Sequence, residues 1–234
     1  MAILPQVKGL VGELQGRLAG GLFLDDKVYR SVHNVTLQMP DGTTQIDHVI
    51  VSRYGVFVVE TKNYSGWIYG SERDAQWTQV LFGKKVRFQN PLRQNYRHVA
   101  SLATFLDLPE GRFHSVVMFW GDCELKTPMP PNVMTSGYAT YIKSKSAPVF
   151  TDEEVEDIVE AVRRGRLPPT WKTHRAHVAS LRKRHDNSTS CPKCGSPLVE
   201  RRTTKGRNAG TSFFGCSSYP KCRFVQAASG APPP

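Results

Sequence analysis

Residues 46–67, IDHVIVSRYGVFVVETKNYSGW, decide how the rest of the chain reads. Val49, Ile50 and Val51, then Val56, Phe57, Val58 and Val59, are β-branched or aromatic almost without a break, on either side of Ser52-Arg53-Tyr54-Gly55. Such runs predict two strands buried on both faces and joined by a tight turn. Asp47, Glu60 and Lys62 interrupt them, so three ionisable side chains fall where core is expected. Side chains alternate along a strand, which puts Glu60 and Lys62 on one face and Thr61 on the other. An even loop pairs Val51 with Val56 and sets Asp47 opposite Glu60. A three-residue loop would oppose Asp47 to Thr61 and split the charges between faces.

Two carboxylates crowded together in a buried sheet repel unless a cation lies between them. Hard oxygen ligands beside a lysine suit Mg²⁺ and point to a hydrolytic metal site. The plainer alternative makes Asp47 and Glu60 strand-end surface residues paired by Lys62. The buried runs they interrupt, and the following Asn63-Tyr64-Ser65-Gly66-Trp67, favour the site.

Gly12-Glu13, Ile46-Asp47-His48-Val49-Ile50-Val51, the run from Tyr54 to Gly66 and Asn90-Pro91-Leu92-Arg93-Gln94 together resemble the nuclease-related domain (NERD) family. The resemblance covers about the first half of the chain. It implies a PD-(D/E)xK-type core, that is, an α/β fold with a mixed, restriction-endonuclease-like sheet flanked by helices. By position it implies that Asp47 and Glu60 bind metal; in the metal-dependent reading the Thr61 carbonyl joins them in holding Mg²⁺ or Mn²⁺. Lys62 would serve the attacking water, and Glu13 and Gln94 would complete the site.

Around this centre, residues 6–19 carry Val7, Leu10, Val11, Leu14 and Leu18 on one helical stripe, with Glu13 at its edge. Val28–Met39 reads as the first strand. Gly66–Tyr69, Gln76–Phe82 and Val86–Phe88 read as shorter ones. Asn90-Pro91 is a helix start, Asn as cap and Pro at the first helical position. That helix should run to about Leu106 and pack through Leu92, Tyr96, Val99, Ala103 and Leu106. Gln94 lies off this face, on a first turn that faces either solvent or the cleft. His114–Trp120 reads as another strand and Val133–Ile142 as a last one at the sheet margin. Thr151-Asp152-Glu153-Glu154 is a capping box opening a helix that stops at Gly165.

The sequence therefore divides into a nuclease-like domain over 1–165, a basic linker over 166–190, a four-cysteine ribbon over 191–225 and a disordered tail over 226–234. Residues 1–162 hold 16 Lys+Arg against 18 Asp+Glu, whereas residues 163–234 hold 15 against 2. The net charge of +11 thus arises entirely in the last third, which points to a polyanion partner. Nucleic acid is favoured over a membrane, because no amphipathic anchor accompanies the charge. No apolar run approaches the ~18 residues of a membrane span, and Met1–Pro5 does not open a signal peptide, so a cytoplasmic location is expected. The histidines His174, His177 and His185 in the basic segment are expected to be solvated. Cys123, without a histidine partner, is expected to be a small packed hydrophobe.

Cys191, Cys194, Cys216 and Cys222 form two pairs around a 21-residue insertion. Such pairs close a tetrahedral shell around Zn²⁺, and a segment with so few apolar residues needs the metal to fold. A redox CxxC is the rival, but the βαβ setting for it is missing. The run Phe213-Phe214-Gly215-Cys216-Ser217-Ser218-Tyr219-Pro220-Lys221-Cys222 resembles the C-terminal zinc ribbons of bacterial type IA topoisomerases. Lys193, Arg201, Arg202, Lys205, Arg207, Lys221 and Arg223 surround Phe213, Phe214, Tyr219 and Phe224, of which at least two are expected to pack the ribbon's small core. Cations for phosphate and rings for base stacking are what single-stranded DNA binding needs. The expectation is a Mg²⁺-dependent nuclease acting on DNA and tethered by a Zn²⁺ ribbon. The alternative is a non-catalytic nucleic-acid adaptor in DNA processing or repair.

Overall fold

The structure, a computed structural model, describes residues 24–39, 42–186, 191, 197–204, 209–220 and 222–227. The helix expected over 6–19, with Glu13, lies outside the described residues, as do Lys193, Cys194, Lys205, Arg207 and Lys221.

In chain order the first strands are β1 (Arg30–Met39), β2 (Gly42–Ser52), β3 (Gly55–Asn63), β4 (Gly66–Tyr69), β5 (Gln76–Leu81) and β6 (Lys84–Gln89). Helix α1 (Pro91–Leu106) follows, then β7 (Phe113–Trp120), β8 (Cys123–Leu125) and β9 (Val133–Met134). Helices α2 (Tyr138–Lys143), α3 (Asp152–Gly165) and α4 (Trp171–Asp186) precede β10 (Leu198–Arg202), β11 (Ser212–Cys216) and β12 (Val225–Ala227).

The core is a mixed five-stranded sheet in the order β1-β2-β3-β7-β9, antiparallel from β1 to β3 and parallel from β3 to β9. Ser52 pairs with Gly55 and Val51 with Val56, so the turn is even and the ladder runs on through His48 and Val59 towards Asp47 and Glu60. All residues from Gly55 to Glu60 are buried, as a strand covered on both faces requires. On one face Val49, Val51, Val56 and Val58 meet Val99 and Leu102 of α1 and Val155, Val159 and Val162 of α3. On the other, Ile50, Phe57, Val59 and Met118 meet Tyr138 and Ile142 of α2.

Strands β6-β5-β4-β8 make a second sheet, joined to the first where Trp77, fully buried, stacks on Phe119 of β7. Only a glycine fits at position 70, because a Cβ there would lie 2.3 Å from the Trp77 ring. Cys123 is a free, half-buried thiol against this second core, as its lack of partners suggests, and burial pushes its pKa up. The last three strands form the small antiparallel sheet of the ribbon, which extends to Ala227. Among the described residues no helix is long and apolar enough to cross a membrane.

Four elements differ from the sequence reading. Strand β5 ends at Leu81, and Leu81 pairs with Lys84, which leaves Phe82-Gly83 as a two-residue turn. The strand expected over Val133–Ile142 is two residues long, because Gly137 turns left-handed (φ 75°) and opens α2. The packed face of α1 includes Asn95, His98 and Leu102, while Leu92 and Tyr96 lie at its margin. Asn95 is polar yet fully buried because its amide donates to Val58 O (2.8 Å) and Val116 O (3.1 Å), so it pins the helix to β3 and β7. Finally, the basic segment contains α4, which is laid against β2. His177 Nδ1 and Ser180 Oγ lie 3.0 and 3.2 Å from Thr43 Oγ1, so His177 is engaged rather than solvated.

Candidate active site and zinc ribbon

Val58, Glu60 and Lys62 alternate onto the face of β3 that α1 covers. The start of α1 is fixed by Asn90, which is fully buried. Its Oδ1 accepts from Leu92 N (2.9 Å), and its Nδ2 donates to Asp74 O (2.7 Å) and Ser71 O (3.1 Å). The capped first turn sets Gln94 above β3. Lys62 Nζ donates to Glu60 Oε1 at 2.6 Å and to Gln94 Oε1 at 2.9 Å. One turn on, His98 Nε2 lies 3.3 Å from Glu60 Oε2, and its Nδ1 lies 2.7 Å from Thr44 Oγ1. A Thr44 hydroxyl donating to Nδ1 leaves Nε2–H facing Glu60. Across the ladder, Asp47 Oδ2 accepts from the backbone N–H (2.8 Å) and the hydroxyl (2.7 Å) of Thr61.

Asp47, Glu60, Thr61, Lys62 and Gln94 therefore converge. His98 joins them, a residue the sequence reading missed. The available signal was its spacing: position 98 is one helical turn past 94, hence on the same face. Hydrophobic periodicity does not register a polar residue buried against another polar residue.

The electrostatics of the two carboxyls diverge. Burial pushes Asp47 up, and the Glu60 charge adds to the effect, to about 6 despite the Thr61 donors. Burial acts on Glu60 in the same direction, but the Lys62 ammonium and His98 outweigh it and hold Glu60 down at about 2. Lys62 also loses solvation, yet the Glu60 carboxylate keeps its pKa above the ordinary value. The pair is thus an ion pair facing a strained carboxyl.

A divalent cation fits this strain. Two oxygen ligands from opposed strands are few, which suits an ion such as Mg²⁺ that keeps several waters. Glu60 Oε2 is buried without an aligned hydrogen bond among the described residues. Metal-free Asp47 should accordingly weaken the fold. Its folded pKa of about 6 exceeds the ordinary 3.8, so its penalty is absent below that ordinary value, grows between it and about 6, and is constant above. Asp47→Asn should therefore stabilise the metal-free protein by about 3 kcal/mol near neutral pH and by well under ~1 kcal/mol near pH 4. Urea denaturation at the two pH values checks this, and an equal effect at both would show that the carboxyl is not strained.

In the ribbon, the thiols of Cys191, Cys216 and Cys222 are buried and lie within 4.8 Å of one another. Cys191 and Cys222 Sγ are 3.7 Å apart. Tetrahedral Zn–S bonds of about 2.3 Å separate sulfurs by roughly 3.8 Å, whereas a disulfide requires about 2.05 Å. The cluster fits structural Zn²⁺. Phe214 and Phe224 pack against it, so Phe214 belongs largely to the ribbon's small core. Arg201, Arg202 and Arg223 are exposed, and the Arg201 guanidinium stands 5.7 Å from the centre of the exposed Tyr219 ring.

Two described families match parts of the chain. Residues 8–120 match the family described as Nuclease-related domain, and residues 188–229 match that described as Topoisomerase DNA binding C4 zinc finger. An uncharacterised Bacillus anthracis protein is 48% identical over 126 residues, which cover 52% of this chain and 57% of that protein. DNA topoisomerase 1 of Helicobacter pylori is 33% identical over 55 residues, 24% of this chain and 7% of its own length. DNA topoisomerase 1 of Mycoplasma genitalium is 47% identical over 36 residues, 15% of this chain and 5% of its own. The chain thus spans little more than half of the first relative and a small part of the topoisomerases. A solved protein of unknown function, 14% identical over 75% of this chain and 99% of its own, has a TM-score of 0.26, too low to bear on the fold.

Proposed function

We propose, from a chain whose residues 8–120 match the nuclease-related domain and whose residues 188–229 match the topoisomerase C4 zinc finger, that the protein is a metal-dependent nuclease acting on DNA. The observation that carries this reading is the hydrogen-bonded Glu60–Lys62–Gln94 constellation, with Glu60 buried and Lys62 and Gln94 half-buried, facing Asp47 on one side of the sheet.

Asp47, Glu60 and the Thr61 carbonyl would hold Mg²⁺ or Mn²⁺, which when bound acidifies water and offsets charge on a phosphate. Lys62 has three N–H donors. Among the described residues Glu60 and Gln94 engage two of them, which leaves the third for the attacking water or a phosphate oxygen. Glu60 keeps that ammonium charged. Gln94 fixes its direction without adding a second negative charge. His98 positions Glu60 from the far side. A preorganised cation at the place where negative charge develops is the commonest large contribution to such catalysis.

The ribbon's exposed arginines and Tyr219 would hold single-stranded DNA, with Arg202 and Arg223 taking phosphates and Tyr219 a base. Lys193, Lys205, Arg207 and Lys221 belong to the same basic set by sequence.

Zinc-loaded full-length protein, given Mg²⁺ or Mn²⁺ with single-stranded, double-stranded and branched DNA and with RNA, tests the proposal. Cleavage of DNA carrying single-stranded segments is expected, abolished when the divalent ion is withheld. No cleavage of any substrate, together with no Mg²⁺ binding by calorimetry, would instate the adaptor reading.

A further inference from the structure

Phe82 sits at the tip of the β5–β6 hairpin with its surface 95% exposed. It occupies the first central position of a two-residue turn, at φ 49°, followed by Gly83 at φ 75°. Both central residues of such a turn need positive φ, which is why Asn-Gly and Gly-Gly dominate it. An aromatic ring there strains the backbone and exposes apolar surface at once. Neither penalty is repaid among the described residues, since the ring is all but bare.

The surroundings identify a partner. Lys84, Lys85 and Arg87 are exposed on the same hairpin, a local cluster of cations within a domain that elsewhere carries more acidic than basic residues. Lys85 pairs across the sheet with Val80, which pairs with the half-exposed Trp67. The end of β5 lies against the start of β4: a Cβ on Gly66 would come within 2.4 Å of Val80 O and 3.1 Å of Leu81 Cδ1, and Gly66 follows Lys62 of β3 by four residues.

We propose that this hairpin is a second nucleic-acid contact, in which Phe82 stacks on an unpaired base while Lys84, Lys85 and Arg87 take flanking phosphates. The ring needs a π-face, and the cations need a polyanion; a single strand supplies both at once. The proposal rests on the nucleic-acid reading of the chain and adds a substrate-gripping element separate from the ribbon.

The test is photocrosslinking of the zinc-loaded full chain to a single-stranded oligonucleotide carrying 5-iododeoxyuridine, without added Mg²⁺, followed by peptide mapping. A crosslinked peptide within 76–89 is expected. Phe82→Asn should lower its yield at least tenfold while leaving the melting temperature equal or higher, because Asn suits the turn. Lys84→Glu with Lys85→Glu should reduce the salt dependence of binding by about one phosphate contact per lysine. Crosslinks confined to 191–227, or an unchanged yield in Phe82→Asn, would overturn the proposal. So would a shift from dimer to monomer on Phe82→Asn, which would mark the ring as a self-association site. Crosslinking at Phe82 in a chain that cleaves nothing would uphold this contact and refute the nuclease reading instead.

Discussion

Glu60→Gln should reduce divalent-metal-dependent DNA cleavage by about 10³-fold or more, and Lys62→Ala by about 10²–10³-fold. Glu60 serves twice in the proposed site, as a ligand to the cation and as the counter-charge of Lys62. Gln keeps its shape and removes both roles. Lys62→Ala is the riskier variant for folding, since removing one partner of a buried ion pair costs about 3–5 kcal/mol. The direction of that cost can be checked. With Lys62 present, Glu60 titrates at about 2, below its ordinary 4.5, so its stabilisation is present above 4.5 and disappears as pH falls through about 2. Without Lys62 burial raises the carboxyl, so the variant should be weakest near neutral pH and recover on mild acidification. Cleavage rates measured beside melting curves separate the two effects. A folded Glu60→Gln variant that cuts DNA like the parent would remove the site assignment.

Ending the chain at Asn187 should weaken binding to single-stranded DNA by on the order of 10²-fold at moderate salt and flatten its salt dependence. Seven Lys and Arg against one Glu lie beyond that point. The cut is placed there because Gly165, where charge and composition alone would put it, precedes α4. That helix is bonded to Thr43 of β2, so an earlier cut would disturb the strand that carries Asp47. Chelating the zinc should imitate the deletion, since a cluster of three buried thiols around a small apolar core does not persist without its ion. The core's melting transition should be unaffected. Salt titrations of the full and shortened chains decide the matter, and equal slopes would show that the ribbon is not the principal tether.

Much of the site was legible because strands impose a strict period. Once Val51 and Val56 pair across an even turn, the positions of Asp47, Glu60 and Lys62 follow by counting. Local chemistry was equally readable. The Asn90 cap forms, and at Thr151 the hydroxyl accepts from Glu154 N (3.1 Å) while Glu154 Oε2 accepts from Thr151 N (2.7 Å). What escaped depends on partners distant in sequence. Asn95 and His98 are buried by hydrogen bonds to β2, β3 and β7, which no pattern of apolar residues announces. The same holds for α4, whose docking on β2 depends on Thr43, His177 and Ser180, residues ordinary in any exposed helix. At Phe82 the turn lies one residue earlier than its composition suggests, because the cross-strand pairing sets the register there.

The docking of α4 on β2 also fixes the length of a leash. From Asp186, where the helix ends, to Cys191 at the thiol cluster is five residues, and a fully extended chain of that length spans at most about 18 Å. Were the whole basic segment a flexible coil, the ribbon could wander several times farther. On so short a tether, a strand captured by the ribbon is presented to the sheet at an effective concentration in the millimolar range, so two weak grips on one strand combine multiplicatively into avidity.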